Sequence, residues 1–313
     1  MPGSRVLVDA PPIPLEVVGE LLRGAGVEVE ALPRPWSGDD VVGLLVWGRP
    51  LRRAELERLP GLKVVVSCGV GYDHVDVESA SERGVWVCNV PDYCTEEMAD
   101  STLALLLSLL RGVVVLDRSV RRGEWNDHTA GPLTRIAGTR LGLIGFGRIG
   151  RAVARRALAL GFEVWASDPA VPRGEIESAG ARPAALDELL RACTAISLHA
   201  PLTRETERLI GERELALMPP GAFLVNTARA SLLDWDAFLR ALESGHLAGA
   251  AVDVLPVEPP SQERPAPRLP SLIVTPHAAW YSEDAEREVY RRAALSLRAV
   301  LEGRVPEGAV TGP

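Results

Sequence analysis

An arginine, a glutamate and a histidine each follow an apolar, strand-like run in the second half of the sequence. They are Arg229, Glu258 and His277. The guanidinium fork of arginine can bind a carboxylate through two charge-assisted hydrogen bonds. Histidine titrates near neutral pH, so it can protonate a carbonyl oxygen, and a carboxylate behind the imidazole would stabilise its cationic form. Each residue alone could be a surface charge, a loop carboxylate or a buried histidine, but together they suit hydride transfer to a 2-oxo acid.

A glycine-rich segment lies upstream, between the apolar run 141–144 and a helical pattern. It reads Gly145-Phe146-Gly147-Arg148-Ile149-Gly150. The first glycine permits a tight turn, the second lets the backbone approach a pyrophosphate, and the third lets helix and strand pack closely. Asp168 follows 18 residues beyond Gly150, where a carboxylate would accept ribose hydroxyls and repel a 2′-phosphate. The alternative is a glycine turn with a loop-capping aspartate, but the order of elements favours NAD(H) over NADP(H).

Two alternating series of strands and helices position these residues. The first has strands at 6–9, 27–31, 44–46, 64–67 and 85–88, with helices at 14–23 and 53–59; the second has strands at 141–144, 163–167, 195–198, 222–226, 248–252 and 272–274, with helices at 149–160 and 234–244. One long helix is expected over 95–122 and a last helix over 282–302, whereas the proline-rich stretch 256–270 is expected to be a loop. The alternation predicts an α/β fold of two Rossmann- or flavodoxin-like domains with parallel sheets.

Length and composition agree with this fold class. A chain of 313 residues is long enough for two domains, and the net charge of −8 argues against a nucleic-acid partner. The most apolar stretch, 103–116, is interrupted by Arg111 and is shorter than a bilayer crossing requires, so no membrane association is expected. The four cysteines have no zinc-like spacing with the histidines, which predicts free thiols, no metal site and a cytoplasmic location.

Seven stretches resemble the D-isomer-specific 2-hydroxyacid dehydrogenases over essentially the whole chain. They are GVGYDHVD (69–76), VCNVPDYCTEEMADSTLALLL (87–107), LGLIGFGRIG (141–150), SLHAPLT (197–203), GAFLVNTARASLLD (221–234), AAVDVLPVEP (250–259) and TPHAAWYSE (275–283). The resemblance implies a substrate domain of residues 1–96 with 282–313, an NAD-binding Rossmann domain of residues 97–281, and an active site in the cleft between them. It also implies a homodimer formed through the helix that begins at Thr95, and reduction of a small 2-oxo acid to the (R)-2-hydroxy acid.

The same resemblance implies roles for individual residues. Arg229 would bind the substrate carboxylate, His277 would be the acid/base and Glu258 its relay partner. The remaining implied contacts are Thr102 and Asp253 at the nicotinamide end of NAD, His199, Pro201, Thr227 and Ala228 along the adenine and ribose path, and Gly69, Val70 and Gly71 as a substrate-facing backbone loop.

Within the family, the segment 275–294 most resembles the C-terminal binding protein branch, which includes transcriptional corepressors as well as bacterial enzymes. In that branch the tryptophan matching Trp280 reaches the substrate, although from the sequence alone Trp280 is also compatible with a packed aromatic. The alternative function is therefore an NAD(H)-sensing, corepressor-like dimeric scaffold with vestigial activity. The intact set of Arg229, Glu258 and His277 favours the enzyme.

Departures from other family members narrow the substrate. Phosphite-oxidising members carry a lysine at the place of Val70, and formate-oxidising members carry a glutamine at the place of Glu258. Phosphoglycerate dehydrogenases usually show Arg-Ser-Arg where this chain has Trp47-Gly48-Arg49. These three substrates are therefore disfavoured. Arg49, with Arg52 and Arg53 nearby, is compatible either with a small second anionic group such as a phosphonate or with a solvated helix start.

Overall fold

The computed structural model describes residues 3–9, 12–32 and 36–312. The chain divides into two compact units, one formed by residues 1–93 with 282–313 and the other by residues 94–281. The observed boundary between the units falls between residues 93 and 94. The boundary expected from the sequence, between residues 96 and 97, lies three residues later, inside the first turn of a helix that begins at Thr95.

The first part of the first unit alternates strands with short helices. Its elements are β1 (Ser4–Val8), α1 (Leu15–Leu21), β2 (Val27–Ala31), β3 (Val41–Val46), α2 (Arg53–Glu57), β4 (Val64–Ser67), α3 (Val77–Glu82) and β5 (Trp86–Cys88). Every residue of β3 and of β4 is buried, as the continuous apolar runs VVGLLV and VVVS require of strands covered on both faces.

The second unit repeats this alternation with a larger sheet. Its elements are α4 (Thr95–Leu110), α5 (Val113–Arg121), β6 (Arg140–Ile144), α6 (Arg148–Ala159), β7 (Glu163–Ser167), α7 (Arg173–Ser178), β8 (Arg182–Pro183), α8 (Leu186–Ala192), β9 (Ala195–Leu198), α9 (Glu212–Leu217), β10 (Ala222–Asn226), a 3-10 turn (Ala230–Leu232), α10 (Trp235–Glu243), β11 (Leu247–Val252) and β12 (Leu272–Val274). The residues between 256 and 270 contain neither helix nor strand, as their prolines predicted.

Two last elements, α11 (Glu283–Leu301) and β13 (Ala309–Thr311), belong to the first unit. Ser282 caps α11, because its hydroxyl accepts a hydrogen bond from the Ala285 N–H at 2.9 Å. The apolar face of α11, which includes Val289 and Leu297, is buried in the same core as strands β1 and β4. The sequence did not predict β13, which pairs antiparallel with β5.

Both sheets have the strand order of doubly wound folds. The first sheet runs β13-β5-β4-β3-β1-β2 and the second β12-β11-β10-β9-β6-β7-β8. All pairings are parallel except that of β13 with β5. In the second sheet the chain order reverses beside β6, so that β9 lies on one side of it and β7 on the other. Ligands bind at such a switch point, outside the carboxyl ends of the strands. The predicted α/β fold class is therefore confirmed.

The single helix expected over 95–122 is wrong. The chain breaks at Gly112, whose φ is 61°, so that α4 and α5 meet at 61°. Both packing and backbone conformation require glycine at this break, since a Cβ at Gly112 would lie 2.4 Å from the Ala130 Cβ. Among the described residues no single helix is long and apolar enough to cross a membrane, although the bent pair α4–α5 passes that test by length and composition alone.

Candidate active site

The glycine-rich segment forms the turn from β6 into α6, and two of its three glycines are required by close packing. Gly145 has φ 96°, and a Cβ there would lie 2.5 Å from the His199 carbonyl carbon. A Cβ at Gly150 would lie 2.3 Å from the Gly145 carbonyl oxygen, whereas a Cβ at Gly147 would meet nothing within 4 Å. Gly145 and Gly150 are thus required by close packing. Gly147 leaves open space at the N-terminus of a 12-residue helix, where backbone N–H groups favour a phosphate.

Asp168 lies directly after β7 and is fixed beside this turn. One carboxylate oxygen accepts a hydrogen bond from the Phe146 N–H at 2.7 Å, and the other accepts one from the Ala170 N–H at 2.9 Å. The two backbone donors orient the carboxylate next to the glycine turn, at the place where a dinucleotide-binding fold requires a ribose acceptor. The geometry therefore fits NAD(H), with the pyrophosphate at Gly147 and the adenine ribose at Asp168.

The other residues expected along the cofactor path also lie at this edge of the second sheet. Arg148 and Ile149 begin α6, and Pro201 follows β9, where its carbonyl accepts a hydrogen bond from the Thr206 hydroxyl at 2.6 Å. The His199 Nε2 lies 2.9 Å from the Ser197 hydroxyl. Desolvation lowers the pKa of His199 to about 4, so the ring is neutral at physiological pH.

His277 and Glu258 form a close pair. The His277 Nδ1–H donates to the Glu258 carboxylate at 2.6 Å, and the second oxygen of Glu258 accepts the Leu255 N–H at 2.7 Å. The two side chains are 45% and 34% exposed. Glu258 is thus held from both sides, and the His277 Nε2 is the ring nitrogen directed away from this pair.

The electrostatics keep Glu258 ionised. Partial burial would raise the pKa of its carboxyl, but the hydrogen bond and charge of His277, the Leu255 N–H and the charge of Arg229 together hold that pKa below its ordinary value. At neutral pH the imidazole of His277 therefore faces a carboxylate.

The backbone of His277 has an unusual conformation. Its φ is 53°, in the left-handed region that residues other than glycine seldom adopt. The buried Asp253 holds it there: the Asp253 carbonyl accepts the His277 N–H at 2.8 Å, and its carboxylate accepts the N–H groups of Ala278 and Ala279 at 2.9 and 2.8 Å. Such conformations persist where the surroundings over-determine them, and they concentrate at functional sites.

Arg229 lies at the end of the turn that follows β10. The fully buried Asn226 shapes this turn, because its side chain accepts the Ala228 N–H at 3.0 Å and donates to the Arg229 carbonyl at 2.8 Å. The Arg229 guanidinium donates to the Ala228 carbonyl at 2.9 Å. Its charge also contributes to the lowered pKa of Glu258. The structure thus brings Arg229, Glu258 and His277 together in one unit.

Thr102 and Asp253 are both buried and hydrogen-bonded within the second unit. The Thr102 side chain has no exposed surface, and its hydroxyl is hydrogen-bonded to that of Thr227 at 2.9 Å. Asp253 is 1% exposed and its carboxylate is occupied by the His277 loop, including the Thr275 hydroxyl at 2.5 Å. Asp253 orients the loop that carries His277, and the nicotinamide contacts implied for Thr102 and Asp253 stay predictions.

Trp280 also braces this loop. Its indole N–H donates to the His277 carbonyl at 2.9 Å, and its ring meets Tyr281 edge to face at 5.6 Å. Both contacts fix the tryptophan within the second unit, next to the acid/base candidate. Its contact with substrate stays a prediction.

In the first unit, Arg49 lies beyond the carboxyl end of β3 and is paired with an acid. Its guanidinium donates to the Asp9 carboxylate at 2.6 and 3.2 Å, and both side chains are largely buried. Arg53 is paired with Glu82 at 2.8 Å and is exposed. Neither partner was foreseen from the sequence, because Asp9 and Glu82 lie 40 and 29 residues away.

The segment Gly69, Val70 and Gly71 lies beyond the carboxyl end of β4, beside the turn that carries Arg49. Its residues are half-buried, and the Asn89 side chain donates to the Val70 carbonyl at 2.6 Å. In the parts of the chain that the structure describes, no group of three or more His, Cys, Asp or Glu side chains is placed to hold a metal ion.

Comparisons with known proteins identify the family of this chain. The family model described as "D-isomer specific 2-hydroxyacid dehydrogenase, NAD binding domain" matches residues 103–279. A glyoxylate reductase from Thermococcus litoralis is 39% identical over 82% of this chain and 78% of its own length. A D-3-phosphoglycerate dehydrogenase from Methanocaldococcus jannaschii is 36% identical over 96% of this chain, which spans 57% of that relative's length. A crystal structure of D-lactate dehydrogenase from Aquifex aeolicus, complexed with NAD and lactic acid, matches with a TM-score of 0.91 and 27% identity, covering 99% of this chain and 100% of that one.

The chain therefore belongs to the D-isomer-specific 2-hydroxyacid dehydrogenase family, as the sequence predicted. It is an NAD(H)-dependent oxidoreductase whose reaction interconverts a 2-oxo acid and a D-2-hydroxy acid, and residues 103–279 form its NAD-binding domain. The likeness to the C-terminal binding protein branch stays a prediction.

Sequence reasoning missed the residues that hold the site in shape. Asn226 orients the Arg229 turn and the Leu255 N–H fixes Glu258, while Asp253, which the sequence analysis named for another role, holds the His277 loop. A polar residue at the last position of an otherwise buried strand was the signal for Asn226. No comparable signal marked the Leu255 backbone.

Proposed function

We propose that this enzyme reduces a small 2-oxo acid to its (R)-2-hydroxy acid, with Arg229 as carboxylate anchor, His277 as proton donor and Glu258 as its partner. The observation that carries the proposal is the 2.6 Å contact between the His277 Nδ1 and the Glu258 carboxylate, in a loop held by the buried Asp253. This pair leaves the opposite ring nitrogen, Nε2, for the substrate.

The protein residues divide the reaction between them. NADH supplies the hydride that adds to the carbonyl carbon. Arg229 binds the substrate carboxylate through its planar fork and so fixes which carbon faces the hydride donor. The protonated His277 donates the Nε2 proton to the carbonyl oxygen as that oxygen gains charge, and the ionised Glu258 stabilises the imidazolium until then. In the reverse direction the neutral ring accepts the hydroxyl proton.

The substrate that we propose is a 2-oxo acid with a small, uncharged side chain, such as glyoxylate or pyruvate. The names of the relatives, a glyoxylate reductase and a D-lactate dehydrogenase, support this size. The pairing of Arg49 with Asp9 also supports it, because a neutralised arginine attracts a second anionic group less strongly than a lone one.

The test is NADH oxidation over a panel of glyoxylate, pyruvate, hydroxypyruvate, branched and aromatic 2-oxo acids, and phosphonopyruvate. We expect the small uncharged members to be reduced with the highest kcat/KM. Acetaldehyde, which has a carbonyl but no carboxylate, is the control and should not react. The proposal fails if no 2-oxo acid is reduced, or if acetaldehyde is reduced as fast as glyoxylate.

We also propose that the chain is a homodimer. Apolar side chains on and after α5 support this, since Val113, Val120 and Trp125 are 52%, 51% and 91% exposed. A cavity of about 430 Å³ beside them is lined by Leu109, Val114, Leu133, Phe223 and Ile273. Exposed apolar side chains and an apolar cavity on the same surface suit a two-fold contact, in which each copy could fill the cavity of the other. Sedimentation of the wild type should give twice the chain mass. The variant Trp125→Glu should sediment with a mass closer to that of one chain. A wild type that sediments as a monomer would refute the dimer.

A further inference from the structure

Among the residues that the structure describes, two that are not glycine have a left-handed backbone. One is His277, and the other is Arg208, whose φ is also 53°. A residue with a Cβ is strained in this region and stays there only where its surroundings hold it, which happens most often at functional sites. Arg208 lies in the second unit, in the loop between β9 and α9. Its strained backbone marks this loop as a candidate functional element.

Backbone hydrogen bonds join the segment 208–210 to the segment 231–234, which begins two residues after Arg229. Three bonds make this connection: the Arg208 N–H donates to the Ser231 carbonyl at 2.7 Å, the Ile210 N–H to the Leu232 carbonyl at 3.0 Å, and the Asp234 N–H to the Ile210 carbonyl at 2.9 Å. Ile210 also forms a parallel bridge with Leu233. The segment 208–210, called the clamp segment below, is thus tied to the chain that follows Arg229.

An ion pair supports the strained residue from its side chain. The Arg208 guanidinium donates to the Asp234 carboxylate, whose other oxygen accepts the Ala237 N–H at 3.1 Å and so caps α10. The Ala237 N–H and the hydrogen bond from Arg208 hold the pKa of this carboxyl below its ordinary value, so it is ionised at neutral pH. A φ in the usual negative range would redirect the chain at Arg208, and the bonds of the clamp segment therefore depend on the conformation that the ion pair supports.

The clamp segment holds the turn to which the Arg229 backbone is bonded. This turn is the 3-10 helix Ala230–Leu232, and the Leu232 N–H donates to the Arg229 carbonyl at 3.2 Å. The Asn226 side chain donates to the same carbonyl at 2.8 Å. The carbonyls of Ser231 and Leu232 accept their hydrogen bonds from the clamp segment. A displacement of the clamp segment would therefore move the turn, and with it the base of the Arg229 side chain.

We propose that Arg208 and Asp234 are positioning residues that clamp the turn after Arg229 and so fix the guanidinium that binds the carboxylate of the 2-oxo acid. The inference rests on the proposed function, in which Arg229 is the carboxylate anchor. Neither residue touches the substrate; both act through the backbone between residues 229 and 234. A small displacement is enough to matter, because a guanidinium binds a carboxylate through two hydrogen bonds only in a narrow geometry.

The experiment varies the backbone preference of residue 208 while the ion pair is absent. Arg208→Gly, Arg208→Ala and Arg208→Val all lack the guanidinium, but glycine adopts a left-handed backbone without strain, alanine with some strain and the β-branched valine with the most. Asp234→Asn keeps an oxygen for the Ala237 N–H and removes only the charge. All four substitutions are made in the full-length protein.

Two quantities are measured: the affinity of the NADH-loaded protein for oxamate, a non-reducible 2-oxo acid analogue, by calorimetry, and the KM for glyoxylate against that for NADH. The oxamate Kd and the glyoxylate KM should rise about fivefold for Arg208→Ala, about tenfold for Arg208→Val and about twofold for Asp234→Asn. For Arg208→Gly both should stay within about 1.5-fold of wild type, because glycine keeps the left-handed backbone without the ion pair. The KM for NADH should stay within about twofold in every variant.

Arg213→Ala is the matched control. Arg213 is also an arginine of the second unit that pairs with an aspartate, Asp187, at 3.1 Å, and its side chain is 63% exposed against 65% for Arg208. Its removal should leave oxamate affinity unchanged. The inference is overturned if Arg208→Ala and Arg208→Val bind oxamate as wild type does, if Arg208→Gly is as impaired as Arg208→Val, if Arg213→Ala weakens oxamate as much as Arg208→Ala, or if wild type binds no oxamate. If oxamate binding follows the expected order but no 2-oxo acid is reduced, the inference stands and the proposed reaction fails.

Discussion

Replacing Glu258 by glutamine keeps the shape of the His277 pair but removes its charge. At 2.6 Å, Coulomb's law in a water-like dielectric gives about 1.6 kcal/mol for two unit charges. The water-like dielectric is appropriate because the two side chains are 45% and 34% exposed, and this energy corresponds to about one pH unit. The imidazolium of His277 is destabilised by that amount in the variant.

The expected result is a shift in the pH–rate profile. Reduction needs the protonated imidazole, so activity falls as pH rises through a midpoint, and Glu258→Gln should move that midpoint about one unit lower. The assay is kcat/KM for the best 2-oxo acid between pH 5 and about 9. Asp127→Asn is the control, since Asp127 lies 3.6 Å from the exposed His128 and should leave the midpoint in place. A midpoint for Glu258→Gln within about 0.3 units of wild type would refute the pairing.

Two further predictions concern the anchor and the cofactor. Arg229→Lys should lower kcat/KM for the 2-oxo acid about a hundredfold, because a lysine ammonium cannot reproduce the planar guanidinium fork. NADH affinity, measured by fluorescence, should stay nearly unchanged. If kcat/KM falls only a few-fold, Arg229 has a structural role instead. Asp168→Ala should reduce the preference for NADH over NADPH, expected to be at least about tenfold in wild type, and equal use of both cofactors by wild type would contradict the role of its carboxylate.

Local geometry explains what could be predicted from the sequence. The turn from β6 into α6 carries three glycines at a fixed spacing, two of which are required by close packing, and this spacing can be recognised in the sequence. Strands β4 and β9 coincide with short runs in which three of four residues are apolar, and their bounds match the predicted ones. Arg229 and His277 were found for the same reason, since each lies three residues beyond the end of such a run.

Contacts distant in sequence explain what could not be predicted. Gly112 interrupts a helical pattern, but the need for its left-handed backbone comes from Ala130 packing against it. Thr102 is buried by a hydrogen bond to Thr227, 125 residues away. Such contacts depend on how helices and strands pack in three dimensions, and the periodicity of apolar residues in the sequence does not predict them.

The chain order of the two units has a consequence for synthesis on the ribosome. The second unit is one continuous segment, 94–281, whereas the first is built from residues 1–93 and 282–313. Strands β1 and β4 emerge early, yet Val289 and Leu297, which share their core, are translated last. Part of the apolar surface of residues 1–93 therefore stays exposed while the 188 residues of 94–281 are translated. Those 188 residues can complete their own core in the meantime. The first unit can therefore complete its core only after the segment 282–313 has been translated, when the second unit is already fully synthesised.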